Sequence, residues 1–169
     1  AEDAGFSHTH IRRVSVSSLL RTQFEWFYPL SEQHQIQFKI DAPKELYWNT
    51  DSVYFKKILA NLISNAFKYT EDGGTVRISL HEEENFLVLK VYNTGKGIEE
   101  ADMQNIFDRY RILGTMDNDD NRQNTARNGL GLFICHSLVQ SLGGKIDIES
   151  EVGQYAEFTV TLPFGIVEE

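Results

Sequence analysis

From Ile58 to Thr70 the chain reads ILANLISNAFKYT. On a helix of about 3.6 residues per turn, Phe55, Leu59, Leu62 and Ala66 fall on one apolar stripe. Asn61, Asn65, Lys68 and Tyr69 fall on a second stripe beside it, and Lys56, Lys57, Ala60 and Ser64 are left for solvent. Asparagine is a poor interior helix residue because its amide competes for backbone hydrogen bonds. Two of them a turn apart beside a core face mark either a polar pocket or an amphipathic helix with two exposed amides.

The pattern on either side places this helix in a longer order. Residues 1–14 show no periodicity and read as a leader or a truncated connection. Ser15 or Ser17 can cap a helix running to about Gln35, with Leu19, Leu20, Phe24, Phe27 and Leu30 inward. Gln35 to Asp41 alternates through Ile36, Phe38 and Ile40 as a strand closed by Pro43, and Leu46 to Trp48 is a second, short strand. Thr50 or Asp51 caps the asparagine helix, and Glu71-Asp72-Gly73-Gly74 ends it in a turn.

A hairpin follows: Val76, Ile78 and Leu80 alternate, His81 to Asn85 turns, and Leu87, Leu89 and Val91 return on one face. The second strand runs into Asn93-Thr94-Gly95-Lys96-Gly97-Ile98, and Glu99 to Phe107 reads as a short helix. Gly114 to Asn128 is polar and aperiodic, a loop of a length that is usually functional or disordered. Gly129 opens a helix stopped by Gly143-Gly144, and strands over 145–150 and 156–162 meet at a turn around Gly153. This order predicts an α/β sandwich, with a layer of helices on one face of a mixed sheet.

Composition narrows the function classes. A chain of 169 residues with 41% hydrophobic and 24% charged residues is most simply one domain, here 15–169. Its net charge of −9 argues against nucleic-acid binding, which needs basic surface, but leaves room for a local nucleotide site. The single cysteine, Cys135, excludes an internal disulfide and sits in an apolar run, which favours a buried, inert thiol. No apolar run approaches the ~18 residues of a membrane span.

Four features carry chemistry. They are the asparagine-striped helix, a strand ending in N-T-G-x-G, a polar loop entered through Ile106-Phe107-Asp108-Arg109-Tyr110, and G-L-G-L at a helix start. Glycines after a strand let a flat ring approach the backbone, and glycines at a helix N-terminus offer N–H groups to an anion. Each is weak alone. All four in this order are a strong signal.

The motifs NLISNAFKYT, NTGKGI, IFDRY, GLGLFI and the closing GGKIDIES…FTVTLP resemble the ATP-binding catalytic domain of sensor histidine kinases. That domain belongs to the Bergerat-fold ATPases, with gyrase, MutL and the heat-shock-ninety chaperones. The resemblance covers roughly residues 15–164. It implies a two-layer α/β sandwich, with a mixed, mostly antiparallel sheet of about five strands covered on one face by about three helices.

It further implies that Asn65 ligates Mg²⁺, that Lys68 sits on the phosphates with Tyr69 hydrogen-bonding nearby, and that Asn61 helps polarise or order the phosphate side. Asn93 takes the adenine position, Gly95, Gly97 and Ile98 shape the pocket, and Phe107 and Tyr110 hinge a lid over 111–128. Gly129, Leu130, Gly131 and Leu132 form the phosphate-facing helix start, and Arg109 or Arg111 neutralises terminal phosphate. The implied partners are ATP, a dimerisation and histidine-phosphotransfer domain outside this chain, and a response regulator receiver domain. The isolated domain is expected to be monomeric and cytoplasmic, from a dimeric parent that a membrane can anchor.

Two positions depart from the family pattern. Asn93 stands where an aspartate is usual, an exchange expected to weaken adenine binding, so that Asn93→Asp is expected to restore it. Arg127 stands where the first glycine of a G-x-G-L-G-L would be, so that either the lid closes differently or Arg127 contacts phosphate itself. ATP-hydrolysing relatives place a water-activating glutamate where Asn61 stands, so slow hydrolysis is expected, with the γ-phosphate kept for a histidine. None of the five histidines carries the H-E-x-x-x-P acceptor pattern, so no autophosphorylation is expected from this chain alone. The competing expectation is a degenerate, non-enzymatic module of the same fold that acts in regulation or protein interaction.

Overall fold

The structure, a computed structural model, describes residues 8–108 and 130–167. The elements run β1 Arg12–Ser15, α1 Val16–Gln33, β2 Gln37–Asp41, β3 Tyr47–Thr50, α2 Ser52–Tyr69, β4 Thr75–Glu83 and β5 Phe86–Thr94. They continue with α3 Glu100–Met103, α4 Leu130–Ser141, β6 Lys145–Glu151 and β7 Tyr155–Pro163. Five strands form one sheet in the order β2-β4-β5-β7-β6. β2 runs parallel to β4 and the other pairings are antiparallel, as expected of a mixed, mostly antiparallel sheet.

Register puts the apolar residues of the three central strands in rows. Ile78 pairs with Val91, which pairs with Phe158, and the next row is Leu80, Leu89 and Val160. Their period of two places every one of these side chains on the same face. Over that face lie Leu20 of α1, Phe55, Ile58, Leu59, Leu62, Ile63, Ala66 and Phe67 of α2, and Leu138 and Val139 of α4. Each large side chain so buried contributes on the order of 1.5–3 kcal/mol. α2 is the middle of the helical layer, packed against α1, α4 and β5.

The caps resolve two open choices. Ser15 caps α1 by accepting from the Ser18 N–H, while Ser17 accepts from the Leu46 N–H at 2.9 Å. Asp51 caps α2: its Oδ1 accepts from the Val53 and Tyr54 N–H groups at 2.9 and 3.0 Å, and its Oδ2 accepts from the His10 N–H at 2.7 Å.

Three boundaries differ from the sequence reading. Arg12–Ser15 is a strand rather than leader, pairing antiparallel with β3 in a separate two-stranded sheet. Only Val14 of β1 is buried, so the strand carries no period to read. β4 and β5 extend to a two-residue turn at Glu84 and Asn85, both with positive φ, where a longer turn was expected. α3 stops at Met103, and the chain continues through tight turns in which the Asn105 and Asp108 N–H groups donate to carbonyls three residues back.

Candidate functional site

The C-terminal half of α2 brings two polar side chains into the core layer. Asn65 is 8% exposed and Lys68 5%, while Asn61 and Tyr69 are part-exposed on the same side. Of the two amides Asn65 is therefore buried and Asn61 part-exposed, and Lys68 is buried with Asn65. The Lys68 Nζ lies 4.9 Å from the centre of the Tyr69 ring. Burial lowers the Lys68 ammonium to a pKa of about 8, because desolvation disfavours the charged form.

The loop after β5 is packed backbone-to-backbone against the end of this helix. A Cβ on Gly95 would lie 2.4 Å from the Tyr69 carbonyl oxygen, so only glycine fits there. Gly97 has φ +73°, and a Cβ on it would lie 2.5 Å from the Glu151 carbonyl oxygen. The Ile98 N–H donates to Ser150 Oγ at 2.8 Å, which in turn donates to the Tyr155 carbonyl at 2.7 Å. The Gly95 N–H donates to the Gln154 carbonyl and the Gly153 N–H to the Lys96 carbonyl, so the β6–β7 turn clamps the loop from the other side.

Thr94 ties the two sides together. Its hydroxyl accepts from the Thr75 N–H at 2.9 Å, lies 3.1 Å from the Thr70 hydroxyl and donates to the Glu71 carboxylate. Nothing in the sequence distinguished Thr70, Thr94 or Ser150, because their partners are 5 to 52 residues away along the chain.

Asn93 belongs to the inner row of β5, between Val76 of β4 and Ala156 of β7, and is 3% exposed. Its Nδ2 donates to the Thr94 carbonyl at 2.9 Å. Its Oδ1 accepts no hydrogen bond among the described residues.

α4 completes one wall. A Cβ on Gly131 would lie 3.8 Å from Asn61 Oδ1, so the start of α4 abuts the part-exposed amide of α2. Leu132 is buried, and Phe107 stacks on His136 of α4 with ring centres 4.7 Å apart. Cys135 is fully buried and its thiol is pushed up to about 12, as expected of an inert packing residue. Tyr110, Arg111, Arg127, Gly129 and the lid 111–128 lie outside the described residues, as does Arg109, and Leu130 enters only as the first residue of α4.

These residues suit a Mg²⁺-nucleotide. Among the described residues no group of three or more His, Cys, Asp or Glu side chains could cage a metal. Mg²⁺ commonly takes one or two protein oxygens and completes its shell with water and substrate phosphates, so a single buried carboxamide is a sufficient protein contribution. Gly95 and Gly97 bring the loop backbone against Tyr69 and Glu151, next to the buried Asn93 amide.

Comparison with known proteins agrees. Residues 50–166 match the family model described as histidine kinase-, DNA gyrase B-, and HSP90-like ATPase. Sensor histidine kinase WalK of Bacillus subtilis is 33% identical over 168 residues, covering 97% of this chain and 26% of the relative. Sensor protein SrrB of Staphylococcus aureus is 36% identical over 120 residues, covering 71% of this chain and 20% of the relative. The chain thus spans about a fifth to a quarter of the length of these curated relatives.

Among solved structures, the catalytic domain of histidine kinase ThkA superposes with a TM-score of 0.78 at 23% identity, covering 92% of this chain and 97% of that one. Full-length ShkA in complex with AMPPNP superposes with a TM-score of 0.80 at 25% identity, covering 96% of this chain and 33% of that one. The motifs, the fold and these likenesses converge: the chain belongs to the histidine kinase-, DNA gyrase B- and HSP90-like ATPase family, on the sensor histidine kinase side of it.

Proposed function

We propose that this chain is the ATP-binding catalytic domain of a two-component sensor histidine kinase, which presents the γ-phosphate of Mg-ATP to a histidine on a dimerisation domain outside it. The observation that carries this reading is the burial of Asn65 and Lys68 on α2 directly beside a loop in which Gly95 admits no side chain. A buried carboxamide and a buried ammonium on one helix face, beside that loop, suit an anionic ligand with a bound cation.

In this reading Asn65 offers its carboxamide oxygen to Mg²⁺, which supplies charge neutralisation across the phosphates when bound. Lys68 donates to phosphate as a compact charge, and Tyr69 packs beside it. Asn61 orders the phosphate end together with the start of α4, where Gly131 keeps the backbone accessible. Gly97 and Ile98 hold the loop in shape, and Asn93 faces the base. Asn61 cannot abstract a proton from water, so the site positions and neutralises without activating a competing nucleophile. That favours transfer to a histidine over hydrolysis. Tyr110, Arg111, Arg127 and the lid are proposed to close over the phosphates. ThkA has been solved in complex with a response regulator protein, and a receiver domain of that kind is the proposed downstream partner.

The test is Mg-ATP binding to the purified chain with and without Mg²⁺, in parallel with Asn65→Ala. At a nucleotide concentration of 100 Kd, binding raises stability by about 2.7 kcal/mol, readable as a thermal shift. The parent is expected to shift only modestly without Mg²⁺, and Asn65→Ala to lose the Mg²⁺-dependent part. No shift at millimolar Mg-ATP would favour the degenerate, non-enzymatic module. Rapid ATP turnover without an acceptor would refute the kinase assignment.

A further inference from the structure

The helices cover one face of the five-stranded sheet, and the side chains that alternate with the buried rows point out of the other. Register aligns one outward row across all five strands: Lys39 of β2, Arg77 of β4, Tyr92 of β5, Glu157 of β7 and Glu149 of β6. Charge along that row reads plus, plus, neutral, minus, minus, with Tyr92 on the middle strand. Lys39 sits directly opposite Arg77, and Glu149 directly opposite Glu157, so both direct charge pairs within the sheet are of like sign, which destabilises it. Among the described residues none of these four charges forms an ion pair. The Arg77 guanidinium lies 4.0 Å from the centre of the Tyr92 ring, and Tyr92 stacks on Tyr155 with centres 5.5 Å apart. Desolvation, then Glu149, Glu151 and Glu157, push the Tyr155 phenol up, so the acidic half acts as one field.

We infer that this face is a contact between two copies of the chain, related by a two-fold axis parallel to the strands over β5, which lays the basic half of each sheet on the acidic half of the other. A half-turn about that axis exchanges β2 with β6 and β4 with β7 while keeping each residue in its row. Lys39 then meets Glu149 of the second copy and Arg77 meets Glu157, each pair occurring twice, as an isologous contact requires. A half-turn about an axis along the row would set like charge on like, so the charge order selects one arrangement. Lys, Arg and Glu side chains reach across the roughly 10 Å between packed sheets. The flanking row opposes the contact, because Lys90 meets Lys90 near the axis and Asp41 meets Asp147. Those two carboxylates have neighbours of their own, Asp147 at 3.7 Å from Lys145 and Asp41 at 3.4 Å from His81. Five strands about 4.8 Å apart and about seven residues long give roughly 550 Å² per copy, at the lower end of specific interfaces. The dimer is therefore weak and concentration-dependent, in place of the monomer expected from the sequence. It is independent of the nucleotide-binding reading, since α2 lies on the opposite face of the sheet.

The experiment is sedimentation equilibrium of the full 169-residue chain without nucleotide, from about 10 to about 500 µM. Salt is held at about 0.1 M, which screens the repulsion of two chains of net charge −9 beyond about 10 Å but contact pairs less. The weight-average mass of the parent is expected to rise from 19.4 kDa by at least about 1.5-fold at the highest concentration. Arg77→Glu and Glu157→Arg should each stay at the monomer mass, because each sets like charges against each other twice in its own dimer. Mixed in equal amounts, the two variants place opposite charges at both contacts again, and most of the rise should return. The double variant Arg77→Glu/Glu157→Arg should dimerise by itself for the same reason. Recovery on mixing also requires that both single variants are folded.

A parent that keeps the monomer mass at every concentration overturns the proposal and leaves the face to a different protein. Association that survives both single reversals overturns it too, by placing the contact elsewhere on the surface. Loss of association in both single variants, with no return on mixing or in the double variant, rules out the two-fold pairing of Arg77 with Glu157.

Discussion

Lys68 is a buried cation whose charged form desolvation disfavours, and replacing it with methionine should show that directly. Its pKa falls from 10.5 to about 8 through desolvation. At 1.36 kcal/mol per unit this corresponds to at most about 3.4 kcal/mol, and partial solvation of the ammonium reduces it to on the order of 1–2 kcal/mol. The sign follows from proton counts. Below about pH 8 the lysine is charged in both folded and unfolded chains, and the folded chain bears the full penalty. Between about 8 and 10.5 the unfolded chain binds more protons, so the parent gains stability as pH rises, and above that window the penalty is gone.

Lys68→Met keeps the length and the contact with the Tyr69 ring while removing the charge. Without nucleotide, thermal unfolding at pH 7 should rise by about 2–8 °C, at about 2–4 °C per kcal/mol for a chain of this size. The gap should close as pH approaches about 10. With Mg-ATP the order should invert, because the parent gains from phosphate binding and the variant loses the phosphate contact. A variant that melts below the parent at pH 7 without ligand would refute the claim that burial of this charge is a cost.

Further predictions concern the scaffold. Gly95→Ala forces a Cβ to within 2.4 Å of the Tyr69 carbonyl, so it should cost about 2–5 kcal/mol and abolish nucleotide-induced stabilisation, read by chemical denaturation with and without Mg-ATP. Trp48→Phe removes the indole N–H that donates to the Pro163 carbonyl at 2.9 Å and should cost about 1–3 kcal/mol without altering nucleotide affinity. Cys135, buried with its thiol pushed up to about 12, should resist alkylation in the native chain at pH 8 and react fully in denaturant, which mass spectrometry resolves.

The helical layer and the central strands were legible because one side chain per turn, or every second residue, had to be apolar, and period survives in a sequence without knowledge of the partner. Phe55, Leu59, Leu62 and Ala66, and Leu87, Leu89 and Val91, are buried as their spacing demanded. β1 was not legible, since one buried residue in four makes no period and its pairing with β3 spans more than thirty residues of chain. The turn at Glu84 and Asn85 was overestimated because neither residue is the glycine that ordinarily marks a positive-φ pair.

The site divides in the same way. Glycine at 95 and 97 and the paired asparagines of α2 announced themselves as residue types that pay locally for something gained elsewhere. The sequence by itself determined the order of elements from α1 onward, the apolar faces and the family. Only the tertiary structure decided that Ser15 rather than Ser17, and Asp51 rather than Thr50, are the caps. It alone decided that Lys68 is buried, that Tyr69 and Gly95 meet backbone to backbone, and which half of the Asn93 amide remains free. Periodicity is a property of one segment. Desolvation, close approach and hydrogen-bond orientation depend on which other segments arrive, and from where.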